Sequence, residues 1–205
     1  MIADIDRVEI EKLPLFPLNI VLFPGGLLPL RIFEPRYLRM VSECLRSQTP
    51  FAVASIIDGV EAGGIATTMP RGTVAKIIDW EQHEDGLLGL LCEGEQMFTL
   101  GEVTVEHDQL QRAEIVRRPP EPEQEIPEQL EWMAQMLNDL LPQVGPPFDR
   151  LIREKPSANH VAGRLIELLP LPLASKQEMF ELPDSIARLR RLEELVHPDG
   201  SSFNA

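Results

Sequence analysis

The sequence predicts an α+β fold: a strand-rich first part with a curved sheet and one early helix, followed by a small α-helical bundle. Three observations carry this. The segment from Leu13 to Tyr37 is almost uniformly apolar yet cut by five prolines. Two-residue alternation runs from Thr73 to Gln82 with further strand segments as far as Arg117, and helical spacing takes over beyond a proline- and glutamate-rich stretch at 119–127. Because proline removes a backbone donor and pushes the preceding residue toward extended conformations, the first segment reads as short strands and turns at a barrel edge.

From Glu34 the period becomes helical. Pro35 suits a first turn, Tyr37, Leu38, Val41 and Leu45 form an apolar stripe, and the helix is expected to end near Ser47. Phe51 to Ile57 is a short β-rich run, and Asp58 to Met69, with glycines at 59, 63 and 64, reads as a mobile loop. Thr73 to Gln82 follows as a strand with Val74, Ile78 and Trp80 on one face, and 83–86 turns into a partner strand from Leu87 to Glu93. Gly94 is a site for a bulge that lets this strand continue toward Met97, Phe98 and Leu100 around a curved sheet. A last strand is expected from Leu110 to Arg117.

The stretch 119–127 combines proline stiffness with like charge and reads as an extended, exposed connector. It divides the chain into a β domain at 1–118, a linker at 119–127, a helical subdomain at 128–199 and a flexible tail at 200–205. In the helical part Leu130, Met133, Leu137, Leu140 and Leu141 share one face. Ser157 can cap a second helix bearing Val161, Leu165 and Leu168, and Asp184 a third bearing Ile186, Leu189, Leu192 and Val196. Arg188, Arg190 and Arg191 are expected on the solvent side of that third helix. No internal repeat is present.

Composition narrows function. A chain of 205 residues, 43% hydrophobic and 25% charged, can bury a core without disulfides or metals. Its formal net charge of −14 opposes binding to polyanions, which depends on Lys and Arg neutralising phosphates. The acidity is general: residues 1–118 hold 11 basic and 18 acidic side chains, and residues 119–205 hold 8 and 15. Cys44 and Cys92 lack a C-x-x-C or nearby His and read as buried thiols of a reducing compartment. The acidic start, without a basic and apolar leader, and the lack of a long uninterrupted apolar stretch give the cytoplasm as the expected location, with no membrane partner.

No catalytic constellation is apparent. Ser175 and Lys176 are sequence neighbours, about 100° apart on a helix, so a cap at Ser175 is preferred to a hydrolytic dyad. Glu34 and Arg36 flank a helix start, where the carboxylate suits the exposed N–H groups. His83, His107, His160 and His197 fall in four separate elements, and no metal or cofactor is expected. One motif favours binding: Phe23-Pro24-Gly25-Gly26-Leu27-Leu28, whose Gly-Gly turn could present Phe23, Leu27 and Leu28 as an apolar patch, bordered by the Gly63-Gly64 loop. The competing reading is that these side chains close the barrel.

The L-P-L-F-P-L, F-P-G and I-F-E-P-R-Y signatures of the first segment resemble the start of the Lon protease amino-terminal domain, most closely that of stand-alone bacterial proteins built around it. Gly72-Thr73-Val74-Ala75-Lys76-Ile77 matches that family's G-T-V-A-[RK]-I strand, and Glu93-Gly94 with Phe98 and Leu100 matches its next strand. Residues 168–195 resemble the start of its helical part; Met97 stands where the family usually has arginine. The resemblance implies a PUA-like barrel and a substrate-engaging role, with ATP hydrolysis and peptide cleavage belonging to other domains of the Lon proteases. The sequence holds no G-x-x-x-x-G-K-[ST] phosphate loop. The expectation is therefore a non-enzymatic, ATP-independent module that binds unfolded polypeptide or a partner protein, a separate protease system included, with nucleic-acid or small-molecule binding as the alternative.

Overall fold

In the computed structural model residues 9–82, 84 and 86–196 are described, and they fall into two units. The first comprises residues up to 24 with 28–120; the second takes 25–27 together with the chain from 121 onward. The expectations placed on His83, His197 and the 200–205 tail lie outside the described residues.

The first unit is a mixed six-stranded sheet with one helix. Its elements are β1 (Ile10–Leu18), β2 (Leu27–Ile32), α1 (Pro35–Ser47), β3 (Phe51–Asp58), β4 (Thr67–Gln82), β5 (Leu88–Val105) and β6 (Gln111–Arg117). β1 runs parallel to β3, as the intervening crossover through α1 permits, and antiparallel to β6. β4 pairs antiparallel with β3 and β5, and β5 pairs in turn with β6. The pairings thus run β5–β4–β3–β1–β6 and return to β5, with β2 added beside β5.

Proline is tolerated in β1 because of register. β1 faces β6 over Ile10–Leu15 and β3 over Leu15–Leu18, so Pro14 and Pro17 each lie where a single neighbour is paired. A missing N–H can then face the unpaired side. Both faces of this region are apolar. Phe16, Leu18, Phe51 and Val53 join one core cluster with Tyr37 and Met40 of α1. Their alternating neighbours Leu13, Leu15, Ala52 and Ala54 join another with Val74, Phe98 and Ile115.

Bulges account for the departures from expectation. β4 begins at Thr67, six residues before the expected Thr73, and its register with β5 shifts between Val74 and Ala75 and again between Ile77 and Asp79. Val74 is therefore buried while Ile78 and Trp80, expected on the same face, are 40% and 58% exposed. The bend at Gly94 occurs as expected, opposite the first shift. Helix α1 also turns differently: Arg36, Tyr37, Met40, Val41 and Cys44 are buried, whereas Leu38 and Leu45 are exposed. Its buried stripe includes an arginine that apolar spacing does not reveal.

The second unit holds α2 (Glu131–Val144), α3 (Ala158–Leu168), α4 (Leu173–Glu181) and α5 (Ser185–Val196), with 3-10 turns at Glu128–Leu130 and Phe148–Leu151. Ser157 Oγ accepts from His160 N, and Asp184 Oδ1 accepts from Ala187 N, so both expected caps are present. Met133, Leu137, Val161, Leu165, Phe180 and Leu189 supply its core. Two expectations are corrected. Ser175 lies inside α4 rather than capping it, and Lys176 Nζ donates to the Glu167 carbonyl. Arg188 is buried, not solvent-facing; its guanidinium donates to both carboxylate oxygens of Glu121 and to the Met179 and Leu182 carbonyls. Within the 119–127 stretch, Gln124 N donates to Asn159 Oδ1 and the Gln124 carbonyl accepts from Ala158 N.

Two stability predictions follow from this packing. A Cβ on Gly72 would collide with the Val53 carbonyl across the β3–β4 ladder and meet the Phe98 ring at 2.7 Å. Gly72→Ala should therefore lower the unfolding free energy by about 3 kcal/mol or more in denaturant titration. Burial, with Arg164 and Arg153 adding to it, lowers the His160 pKa from 6.5 to about 4, and Nε2 lies 2.9 Å from the Leu151 carbonyl. The unfolded chain binds this proton more readily, so its contribution is present above pH 6.5 and lost as pH falls through about 4. Between those values stability of the wild type should fall with a slope of up to about 1.4 kcal/mol per pH unit beyond that of His160→Gln; parallel curves would refute the assignment.

Candidate functional site

The β3–β4 connection begins with a bulge. Ile56 pairs with Thr68 and Asp58 with Thr67, so Ile57 is the extra residue and its side chain is 55% exposed. Positive φ at Gly59 (103°) and Gly63 (79°) then folds residues 59–66 back on themselves. Gly59 approaches the backbone of Ile65 and Ala66, and Gly64 lies under the Val60 side chain. Val60 and Ile65 are nevertheless more than half exposed, as is Phe33 at the start of α1.

Two charged side chains fasten this loop to α1. Glu34 Oε2 accepts from Gly63 N at 3.2 Å, and Arg36 Nη1 donates to the Gly64 carbonyl at 2.7 Å and the Gln109 carbonyl at 3.2 Å. The carboxylate thus serves the loop and Arg36 Nη2, 3.1 Å away, while no side-chain cap bond to the helix forms. The buried guanidinium lies 4.6 Å from the Tyr37 ring, which stacks on Phe16. Burial pushes the Tyr37 hydroxyl up to about 12, so it is neutral here. On the far side of the loop Gln111 Nε2 donates to the Ala66 carbonyl, and Glu61 accepts from Asn19 N. The segment expected to be mobile is therefore held at four points.

A second ionic cluster fixes the other end of α1. Arg39 grips Asp108 through two bonds of 2.7 and 2.8 Å and also reaches Glu106, while Arg112 bridges Glu106 and Glu43. Hydrogen bonds from Arg39 hold the Asp108 carboxyl down at about 2, and those from Arg112 and then Arg39 lower that of Glu106. These carboxylates are committed to arginine, so the cluster is structural.

The residues expected to bind polypeptide separate. Phe23 is 3% and Leu28 8% exposed, which corrects the expectation of a patch there: both side chains are buried. Thr73 Oγ1 donates to the Leu22 carbonyl, and Gly94 lies against the Phe23 carbonyl, which turns that side chain inward. Leu27 is half-buried and belongs to the second unit. Gly63 and Gly64 form the turn beneath the exposed side chains. Phe33, Ile57, Val60 and Ile65 went unnoticed in the sequence; for Val60 and Ile65 the signal was β-branched residues placed among loop glycines, where no core pattern accounts for them.

Nothing at this rim offers a nucleophile with a base. Among the described residues no group of three His, Cys, Asp or Glu side chains is arranged to hold a metal ion, and no helix is long and apolar enough to cross a membrane. Cys44 and Cys92 are buried free thiols, pushed by burial to about 11 and about 12. Met97 is buried and pairs with Thr73, and its carbonyl accepts from Arg118 N.

Comparison with known proteins gives consistent matches. The family model described as the ATP-dependent protease La (LON) substrate-binding domain covers residues 12–197. A crystal structure of a Lon N-terminal domain protein from Xanthomonas campestris superposes with a TM-score of 0.70 at 32% identity, covering 91% of this chain and 97% of that one. The N-terminal domain of the Mycobacterium avium complex Lon protease shares the fold at 16% identity, with a TM-score of 0.64 and coverage of 93% and 100%. The Lon protease of Methylocella silvestris is 27% identical over 183 residues, 86% of this chain but 22% of that protease. The chain spans about a quarter of the length of the Lon proteases it matches.

The loop anchor is testable apart from function. Arg36→Met should leave the Gly64 and Gln109 carbonyls without their donor and cost about 2 kcal/mol. Amide exchange across 59–66 should accelerate more than elsewhere in the sheet, and unchanged exchange there would show that Arg36 does not hold the loop.

Proposed function

Since the chain belongs to the family of ATP-dependent protease La (Lon) substrate-binding domains, we propose that it holds segments of other polypeptides on the rim around Gly63 and Gly64. The observation that carries this reading is the exposure of Phe33, Ile57, Val60 and Ile65 around one anchored turn. Apolar side chains grouped at a surface favour contact with exposed apolar chain, and a turn held in place before binding loses less entropy on association. The reading takes the returning strand circuit as a PUA-like barrel and the protein as an ATP-independent, non-catalytic cytoplasmic binder. Its domains are the barrel to 118 and the helical part from 128, with 119–127 connecting them. The acidic composition argues against nucleic acid.

The test is binding of the full chain to a reduced, carboxymethylated model protein and to its native, disulfide-bonded form. The unfolded form should bind and the native form should not. Replacing Phe33, Val60 and Ile65 together by Ser should weaken binding at least about tenfold without changing the circular dichroism spectrum. Full binding by that variant would exclude the rim.

A further inference from the structure

The arm of β4 beyond Ala75 is a sheet edge with its own chemistry. β3 pairs with β4 only as far as Phe51 opposite Ala75, and Pro50, which has no N–H to offer, precedes that point. Among the described residues, β4 is paired with β5 alone from Lys76 to Gln82. Ile78 is the extra residue of the bulge between Ile77 and Asp79, leaving Asp79–Gln82 in regular register with Leu91–Leu88. Trp80 is 58% exposed, and its backbone N–H is taken by the side chain of its own neighbour, Asp79 Oδ1, at 2.9 Å. A strand amide satisfied by a local carboxylate occupies the position of a ladder bond that another strand's carbonyl can replace.

We propose that this edge receives an extended segment of another protein whose side chains alternate between apolar and basic, added beside Lys76–Gln82 as a further strand. Backbone pairing would supply the affinity and Ile78 and Trp80 the apolar contacts. Charge selects the occupant. Asp79, Glu81 and Glu84 are exposed along the arm, and the chain carries −14 overall. A cationic segment meets complementary potential, whereas a second copy of this chain would bring an equally acidic arm against the first. This surface is distinct from the Gly63-Gly64 rim, and its failure leaves that reading intact.

The experiment titrates the full chain against a fluorescent, end-blocked octapeptide of alternating valine and lysine, followed by anisotropy. It is repeated with a valine–glutamate peptide and with two valine–lysine peptides N-methylated at alternate residues, one in each register. The valine–lysine peptide should bind, and the glutamate peptide at least about tenfold more weakly. One N-methylated register should lose about tenfold or more, because it removes the donors facing β4. Trp80→Ala and Asp79→Lys, both at exposed positions, should each weaken binding about tenfold with unchanged circular dichroism. Absence of binding at about 1 mM, equal binding of the glutamate peptide, equal binding of both methylated registers, or unaltered affinity of the Trp80 and Asp79 variants would each overturn the proposal. So would self-association of the wild type that Trp80→Ala abolishes.

Discussion

The architecture of the first unit depends on how closely its strands approach where β5 bends. β5 is 18 residues long and serves β4 and β6 in turn, which requires register shifts near Gly94 and between Leu100 and Val103. Gly94 abuts the Phe23 carbonyl and Gly72 the Val53 carbonyl, and neither position has room for a side chain. Without those two contacts the pairings could not return to β5, and the front segment would lose its fixed path over the sheet. Burial of Phe23 and Leu28 is the result of that path rather than an independent feature.

Exposed apolar surface arises where regular pairing is interrupted. Ile57 and Ile78 are each the supernumerary residue of a bulge, and each is exposed beside a more buried isoleucine, Ile56 and Ile77. The same device that curves the sheet therefore also exposes apolar side chains at two places. Charge then distinguishes the two. At the rim, Glu34 and Glu61 hold backbone distant in sequence, whereas on the β4 arm Asp79 holds the amide of its own neighbour, Trp80, and is exposed.

Much of this was legible in the sequence. Proline spacing and the alternation after Thr73 give an α+β chain, the Gly94 bend was read from one residue, and Ser157 and Asp184 cap as their chemistry dictates. The failures share a cause, namely partners distant in sequence. Arg188 reads as solvent-facing until Glu121, 67 residues earlier, is brought to it. Arg36 reads as a surface charge until Gly64 and Gln109 supply carbonyls. Helix α4 was expected only through a cap at Ser175, because its buried residues, Gln177, Met179 and Phe180, form no apolar stripe from which to set its start. The rim was half-legible: its glycines were noticed, but the exposure of Phe33, Ile57, Val60 and Ile65 depends on a bulge and on tertiary anchors.

The anchors of the 59–66 loop engage main-chain atoms: the Gly63 amide and the carbonyls of Gly64 and Ala66. Its posture is thereby decoupled from the identity of residues 60, 62 and 65. Drift at those positions can retune what is recognised while the framework stays put, so this stretch is a natural cassette for acquiring new preferences, and a point of entry for anyone grafting foreign recognition sequences onto the scaffold.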